Sequence, residues 1–211
     1  MSITRLGRDL VLIDTGYAAT PEAIGVYLLL GAHPGLIEAG PASTVDTVMD
    51  SIHAAGLDPS DIEAVAVTHI HLDHAGGAGT LAQRLPRAQV YVHPRGAPHL
   101  IDPTRLLNSA ARLYGADLER LFGQTVPVPE SRLHVLADQD PIVIGDRRLT
   151  ALDTPGHARH HHAYWDAASG DLFTGDVAGV ALPRSRYVRA PTPPPELDVP
   201  AWRESLQRVR S

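Results

Sequence analysis

Short apolar runs dominate the first part of the chain. Leu10 to Ile13, Val26 to Leu30 and Leu36 to Ile37 are each closed by turn-forming residues, Asp-Thr-Gly, Gly-Ala-His-Pro-Gly and Ala-Gly-Pro. Such runs, punctuated by Gly and Pro, predict strands joined by tight turns. The period then lengthens. Ser43 or Thr44 can cap a helix in which Val45, Val48, Met49 and Ile52 share one face, and Gly56 ends it after about Ala55. A buried strand is expected at Ala64 to Val67, a helical stretch from about Gly79 to Leu85, and a further strand at Gln89 to His93.

From about 94 to 131 the pattern predicts a helical insertion. Asp102-Pro103 opens a helix with Leu106, Leu107, Ala110 and Leu113 at apolar spacing, and Leu118, Leu121 and Phe122 continue it after Gly115. Two readings stand side by side: a packed helical pair, or a lid or pocket wall. From Leu133 to Phe173 short β-like runs return, with a turn expected at Gly145-Asp146. This alternation of strands and helices predicts an α/β chain, and its 211 residues are expected to form one domain over 1–211.

Composition narrows the chemistry. The chain is 44% hydrophobic and 20% charged, which suits one sizeable core, and no apolar run reaches the roughly 18 residues of a membrane span. The N-terminus has no signal-peptide layout, so no membrane association is expected and the cytoplasm is the default compartment. Without Cys there are no disulfides or thiolate ligands, and a bound metal must be held by nitrogen and oxygen. All 18 basic residues are Arg, which removes catalytic lysine and Schiff-base chemistry. A net charge of −6 weighs against a nucleic-acid partner.

The densest chemistry lies in Thr68 to Gly77, Thr-His-Ile-His-Leu-Asp-His-Ala-Gly-Gly, just after the expected strand Ala64 to Val67. Carboxyl ends of strands are where open α/β sheets place ligand sites. His69 and His71 can converge on one metal, while Asp73 and His74 point elsewhere, a split that suits two adjacent ions better than one tetrahedral ion. Two turns offer further ligands. His157 lies in Thr154-Pro155-Gly156-His157, and Asp176 follows Gly175 at the end of the strand Asp171 to Thr174, where its carboxylate could bridge two metals. Taken alone, either residue reads as an ordinary loop group.

In these features the chain resembles the metallo-β-lactamase fold superfamily of metallohydrolases. His69, His71, Asp73 and His74 match its H-x-H-x-D-H motif, Thr154 to His157 resembles the segment supplying a third ligand, and Phe173 to Asp176 the one supplying a bridging carboxylate. The resemblance implies a four-layer αβ/βα sandwich, two mixed β-sheets with helices outside. It also implies that His69, His71 and His157 hold one divalent metal and Asp73 and His74 a second, with Asp176 between them. Zinc is the expected metal, iron or manganese the alternatives. A metal-bound hydroxide would attack the substrate, with Asp73 orienting it and relaying a proton. Ala201 to Val209 matches a helix that precedes a strand bearing a last His in the family. No His follows His162 and the chain stops at Ser211. The expectation is therefore a shortened fold lacking the final strand and helix, an incomplete second metal site, and an exposed edge that favours a homo-oligomer.

The remaining histidines are expected to be structural. In the run His160-His161-His162, His161 falls where the family carries a polar supporting residue, and His33, His53, His99 and His134 read as surface or loop residues. His93 ends a strand and could line the pocket. Arg184, Arg186 and Arg189 form a basic stretch that could meet a carboxylate or phosphate, and Pro191 to Pro195 reads as an extended connector. The segment after Asp176, Val177-Ala-Gly-Val-Ala-Leu-Pro, does not match the glycine- and cysteine-containing segment of the glyoxalase II subgroup, so that activity is not expected. The functional expectation is a metal-dependent hydrolase of small esters, thioesters or lactones. A phosphodiester hydrolase and a catalytically weak metal-binding remnant are the alternatives.

Overall fold

The computed structural model describes residues 2–181, 186–193 and 196–210. Arg184, Pro194 and Pro195 lie outside them. The elements run β1 (Ser2–Arg5), β2 (Leu10–Asp14), β3 (Gly25–Leu29), β4 (Gly35–Ile37), α1 (Val45–Ala54), β5 (Ala64–Ala66), α2 (Leu72–Ala75), α3 (Ala78–Arg84) and β6 (Gln89–Val92). Three helices follow, α4 (Ala97–Ile101), α5 (Thr104–Tyr114) and α6 (Leu118–Phe122). Then come β7 (Leu133–Val135), β8 (Pro141–Ile144), β9 (Arg147–Asp153), β10 (His162–Asp166), β11 (Asp171–Phe173), β12 (Val180–Ala181), β13 (Val188–Arg189) and α7 (Val199–Arg210). Among the described residues no helix is long and apolar enough to cross a membrane.

Strands β1 to β7 form one sheet in chain order, antiparallel from β1 to β4 and parallel from β4 to β7. A second, antiparallel sheet has the order β11-β10-β9-β8. Side-chain alternation explains how the first sheet is buried on both faces. Val11, Ile13, Val26, Leu28, Leu36 and Val65 point to one side, where they pack with Val48, Ile52 and Leu81 of α1 and α3. Leu10, Leu29, Ile37, Ala64 and Ala66 point to the other, against Ile142, Ile144, Leu149, Ala151 and Tyr164 of the second sheet. The result is the mixed α/β sandwich expected.

Arg147 fastens the two sheets at one end. Its guanidinium binds both oxygens of Asp9, at 2.6 and 3.0 Å, and donates to Asp166 at 3.3 Å and Asp171 at 2.5 Å. The edge strand β1 escaped the sequence pattern, because Ser-Ile-Thr-Arg has a single apolar residue, Ile3, which packs against the core, and the strand is held by its register with β2.

Candidate metal centre

Strand β5 delivers the His-rich segment to the seam between the sheets. Beyond Ala66, the Val67 N–H still bonds to the Tyr91 carbonyl at 3.0 Å, and His69 to His71 then leave the sheet. Asp73 and His74 belong to the single turn of α2, so they project away from the preceding loop. His157 comes from the turn between β9 and β10, and Asp176 from the turn after β11. Five of the six expected ligands meet here. His69, His71 and His157 form one group with nitrogens within 4.8 Å of one another, and His69, His74 and Asp176 form a second on the same criterion. Asp73 stands at the edge, its Oδ2 3.5 Å from His74 Nε2.

Hydrogen bonding assigns the ring protons, and the assignment decides what the cluster can hold. The Thr68 hydroxyl donates to Glu38 Oε1 at 2.6 Å, so it accepts the Nδ1 proton of His69 at 3.0 Å. His74 Nδ1 donates to Glu38 Oε1 at 2.9 Å, and His157 Nδ1 to the Pro191 carbonyl at 2.9 Å. His69 and His157 therefore turn an Nε2 lone pair inward, while His74 Nε2 faces the carboxylates of Asp73 and Asp176. His69 Nε2 is fully buried and has no hydrogen-bond partner, a costly state for a neutral imidazole unless a cation takes the lone pair. Imidazoles anchored at Nδ1 by a carboxylate, carbonyl or hydroxyl are the usual arrangement of metal-binding histidines. The donor set thus fits divalent ions that accept nitrogen and oxygen ligands.

Asp176 faces both groups. Its Oδ2 lies 3.2 Å from His157 Nε2 and 3.9 Å from His69 Nε2, while Oδ1 lies 3.3 Å from His74 Nε2. Its carboxyl is held down at about 2, because the attraction of His74 outweighs the opposing effect of burial. Burial, reinforced by neighbouring imidazoles, keeps His69 far below the ordinary histidine range and His71 at about 3, so both are neutral and ready to ligate. His74 goes the other way. Burial opposes its charge, but Asp73, Glu38 and Asp176 prevail and make its position the most cation-favouring in the cluster.

Backbone geometry supports the cluster. Gly175 has φ +49, and a Cβ there would come within 2.8 Å of His161 Nε2 and press on the Thr68 hydroxyl. His161 is buried. Its Nε2 accepts the Asp176 N–H at 3.1 Å while its Nδ1 bonds Thr154 Oγ1 at 2.7 Å, which ties the two ligand-bearing turns together.

Residues 3–211 match the sequence profile of the Metallo-beta-lactamase superfamily. The chain belongs to that superfamily. Among its members, the Metallo-beta-lactamase fold-containing protein ST1585 of Sulfurisphaera tokodaii is 31% identical over 95% of this chain and 73% of its own length. The crystal structure of ST1585 superposes with a TM-score of 0.77 at 29% identity, covering 96% of this chain and 75% of that one. A hydroxyacylglutathione hydrolase from Synechococcus is 30% identical over 72% of this chain, and the chain spans 48% of its length. The acyl-coenzyme A thioesterase MBLAC2 of Gallus gallus is 31% identical over 82% of this chain, which spans 64% of that protein.

Within this superfamily member, the residues missed from sequence are Glu38 and Thr68. Glu38 is a buried carboxylate at φ 73, a strained position for a non-glycine residue. An acid directly after the apolar run Leu36–Ile37 and before Ala39-Gly40 was the available signal. Two other expectations need correction. His93 does not face the cavity beside the ligands: its Nε2 lies 3.4 Å from Asp153, which also takes His162 Nε2 at 2.8 Å. His93 Nδ1 already accepts the Arg95 N–H, so its free proton points at Asp153, and the trio is a hydrogen-bonded clamp. His99, read as a surface or loop residue, is half-buried in α4 and lines the cavity.

Proposed function

We propose that this chain is a metal-dependent hydrolase of small esters, thioesters or lactones. It would hold two divalent ions, zinc first, with iron or manganese as alternatives. His69, His71 and His157 would take one ion and Asp73 and His74 the other, with Asp176 between them. The observation that carries this reading is the inward lone pair of His69 Nε2, buried without a partner beside a carboxylate whose two oxygens face different imidazoles. When bound, such ions lower the pKa of water toward neutrality and polarise a carbonyl oxygen.

The protein's own groups do the rest. Glu38, Thr68 and the Pro191 carbonyl fix the ring tautomers, so that the lone pairs are in place before substrate arrives. Asp73 has a side chain 42% exposed and lines the cavity, so it can reach the attacking water, orient it, and take its proton at the carboxylate. Relatives named as a thioesterase and a hydroxyacylglutathione hydrolase support acyl-transfer chemistry over phosphodiester cleavage. The test is turnover by the zinc-loaded protein on a panel of esters, thioesters, lactones and a phosphodiester. Acyl substrates alone are expected to react. Phosphodiester turnover alone, or none at all, would overturn the reading.

A further inference from the structure

The cavity beside the candidate ligands is lopsided, and its asymmetry bears on the substrate. It measures about 410 Å³ and reaches from His71, Asp73, His157 and Asp176 to the helices between β6 and β7. On that side the wall is mainly apolar: α5 and α6 supply Leu106, Ala110, Leu113, Tyr114 and Phe122, with Arg105 and Ser109 of α5 among them, and Ile70 adds to it from the loop of the candidate ligands. The wall is continuous with the site, because Leu72, between the candidate ligands His71 and Asp73, packs in one cluster with Ala110 and Phe122. Tyr114 braces Phe122 edge-on, with ring centroids 4.8 Å apart. Yet the wall is not sealed. Leu113 remains 54% exposed and Tyr114 41%, apolar surface left open beside a polar reaction centre.

We infer that helices α5 and α6 form a binding wall for an apolar arm of the substrate, so that the preferred substrates are esters or thioesters bearing a medium-length alkyl or acyl chain. The inference rests on the hydrolase reading above and names its substrate class. At about 410 Å³ the cavity falls in the range that encloses a small organic ligand, so with the reacting ester group seated at the histidines an arm of roughly eight carbons still fits. Each methylene moved from water onto this wall should raise kcat/KM about three- to fourfold. A short polar acyl group leaves Leu113 and Tyr114 wet and gains none of this.

The test uses the zinc-loaded full chain with two series, acyl groups of two to twelve carbons on a fixed thiol or phenol, and alkyl groups of the same lengths on a fixed acetyl. In one series kcat/KM is expected to climb to about eight carbons and then level. Leu113→Glu, at an exposed position that tolerates charge, is expected to lower the eight-carbon to two-carbon ratio at least tenfold. Turnover with no length dependence in either series overturns the apolar arm and leaves the hydrolase reading standing. If nothing turns over, calorimetric binding of octanamide against acetamide decides: preference for octanamide lost in Leu113→Glu keeps the wall and sinks the hydrolase reading, and no preference sinks the wall.

Discussion

Glu38 accepts the Nδ1 proton of His74 at 2.9 Å while its same oxygen takes the Thr68 hydroxyl at 2.6 Å. One buried carboxylate thus orients His74 directly and His69 through Thr68. The Glu38→Gln variant keeps the shape but replaces one acceptor oxygen with a donor amide. Zinc affinity should fall about tenfold to a hundredfold, measured by competition with a chromophoric chelator. Unchanged affinity in a folded variant would show that Glu38 does not set the ring geometry.

Asp73 has the opposite profile, exposed to the cavity and held by no comparable network. Asp73→Asn should cut kcat about a hundredfold or more with KM little changed. Metal content should be read from the same samples. Full activity with full metal content would remove Asp73 from the proton path.

Arg147 tests the joint between the sheets. Only 11% of its side chain is exposed, and Asp9, Asp166 and Asp171 surround it. Arg147→Met strands those carboxylates, so urea unfolding should show a loss of about 3–5 kcal/mol, at the lower end because Asp9 and Asp171 remain partly solvated. Arg147→Lys should retain only part of that stability, since one ammonium cannot bind both Asp9 oxygens as the guanidinium does.

Stability should fall in mild acid. Burial holds His160 at about 3, and burial with neighbouring His162 holds His93 at about 4, both well below the ordinary 6.5. A depressed folded-state value means that the unfolded chain binds the proton first as pH drops. The contribution is therefore complete above about 6.5 and is lost progressively as pH falls toward 4 and then 3. Thermal unfolding of metal-free protein between pH 8 and 4 should trace this loss, and replacing His93 by Gln should flatten part of the slope.

Gly175→Ala should weaken the joint between Thr68, His161 and Asp176. The new methyl sits at φ +49 against two buried polar groups, so a destabilisation of about 1–3 kcal/mol is expected, with weakened zinc binding. The melting temperature and a chelator competition on the same preparation check both halves.

Much of this was legible from residue order alone. The strands β2 to β6 stand out as short apolar runs and helix α1 by its 3.6-residue period, and the turns after β9 and β11 carry His157 and Asp176 in short Gly-containing motifs. What stayed hidden depends on contacts distant in sequence. Glu38 lies 30 residues from Thr68 and 36 from His74, and its place after Leu36–Ile37 marks an unusual acid without naming the distant partners between which its carboxylate is buried. His93 looked cavity-facing because strand ends usually are, but cross-strand pairing puts His162 opposite Asp153, and that pair captures its ring. The role of Pro191 was equally invisible, since it is a backbone carbonyl, not a side chain, that meets His157.

Equilibrium titration of the metal-free chain with zinc, followed by metal analysis after gel filtration, addresses the central claim most directly. The shared placement of His69 and Asp176 between the two groups leads us to expect two equivalents bound, falling to one or none in the His157→Ala and Asp176→Ala variants. Retention of one equivalent or none by the unaltered chain, or full retention of zinc by both variants, would contradict it.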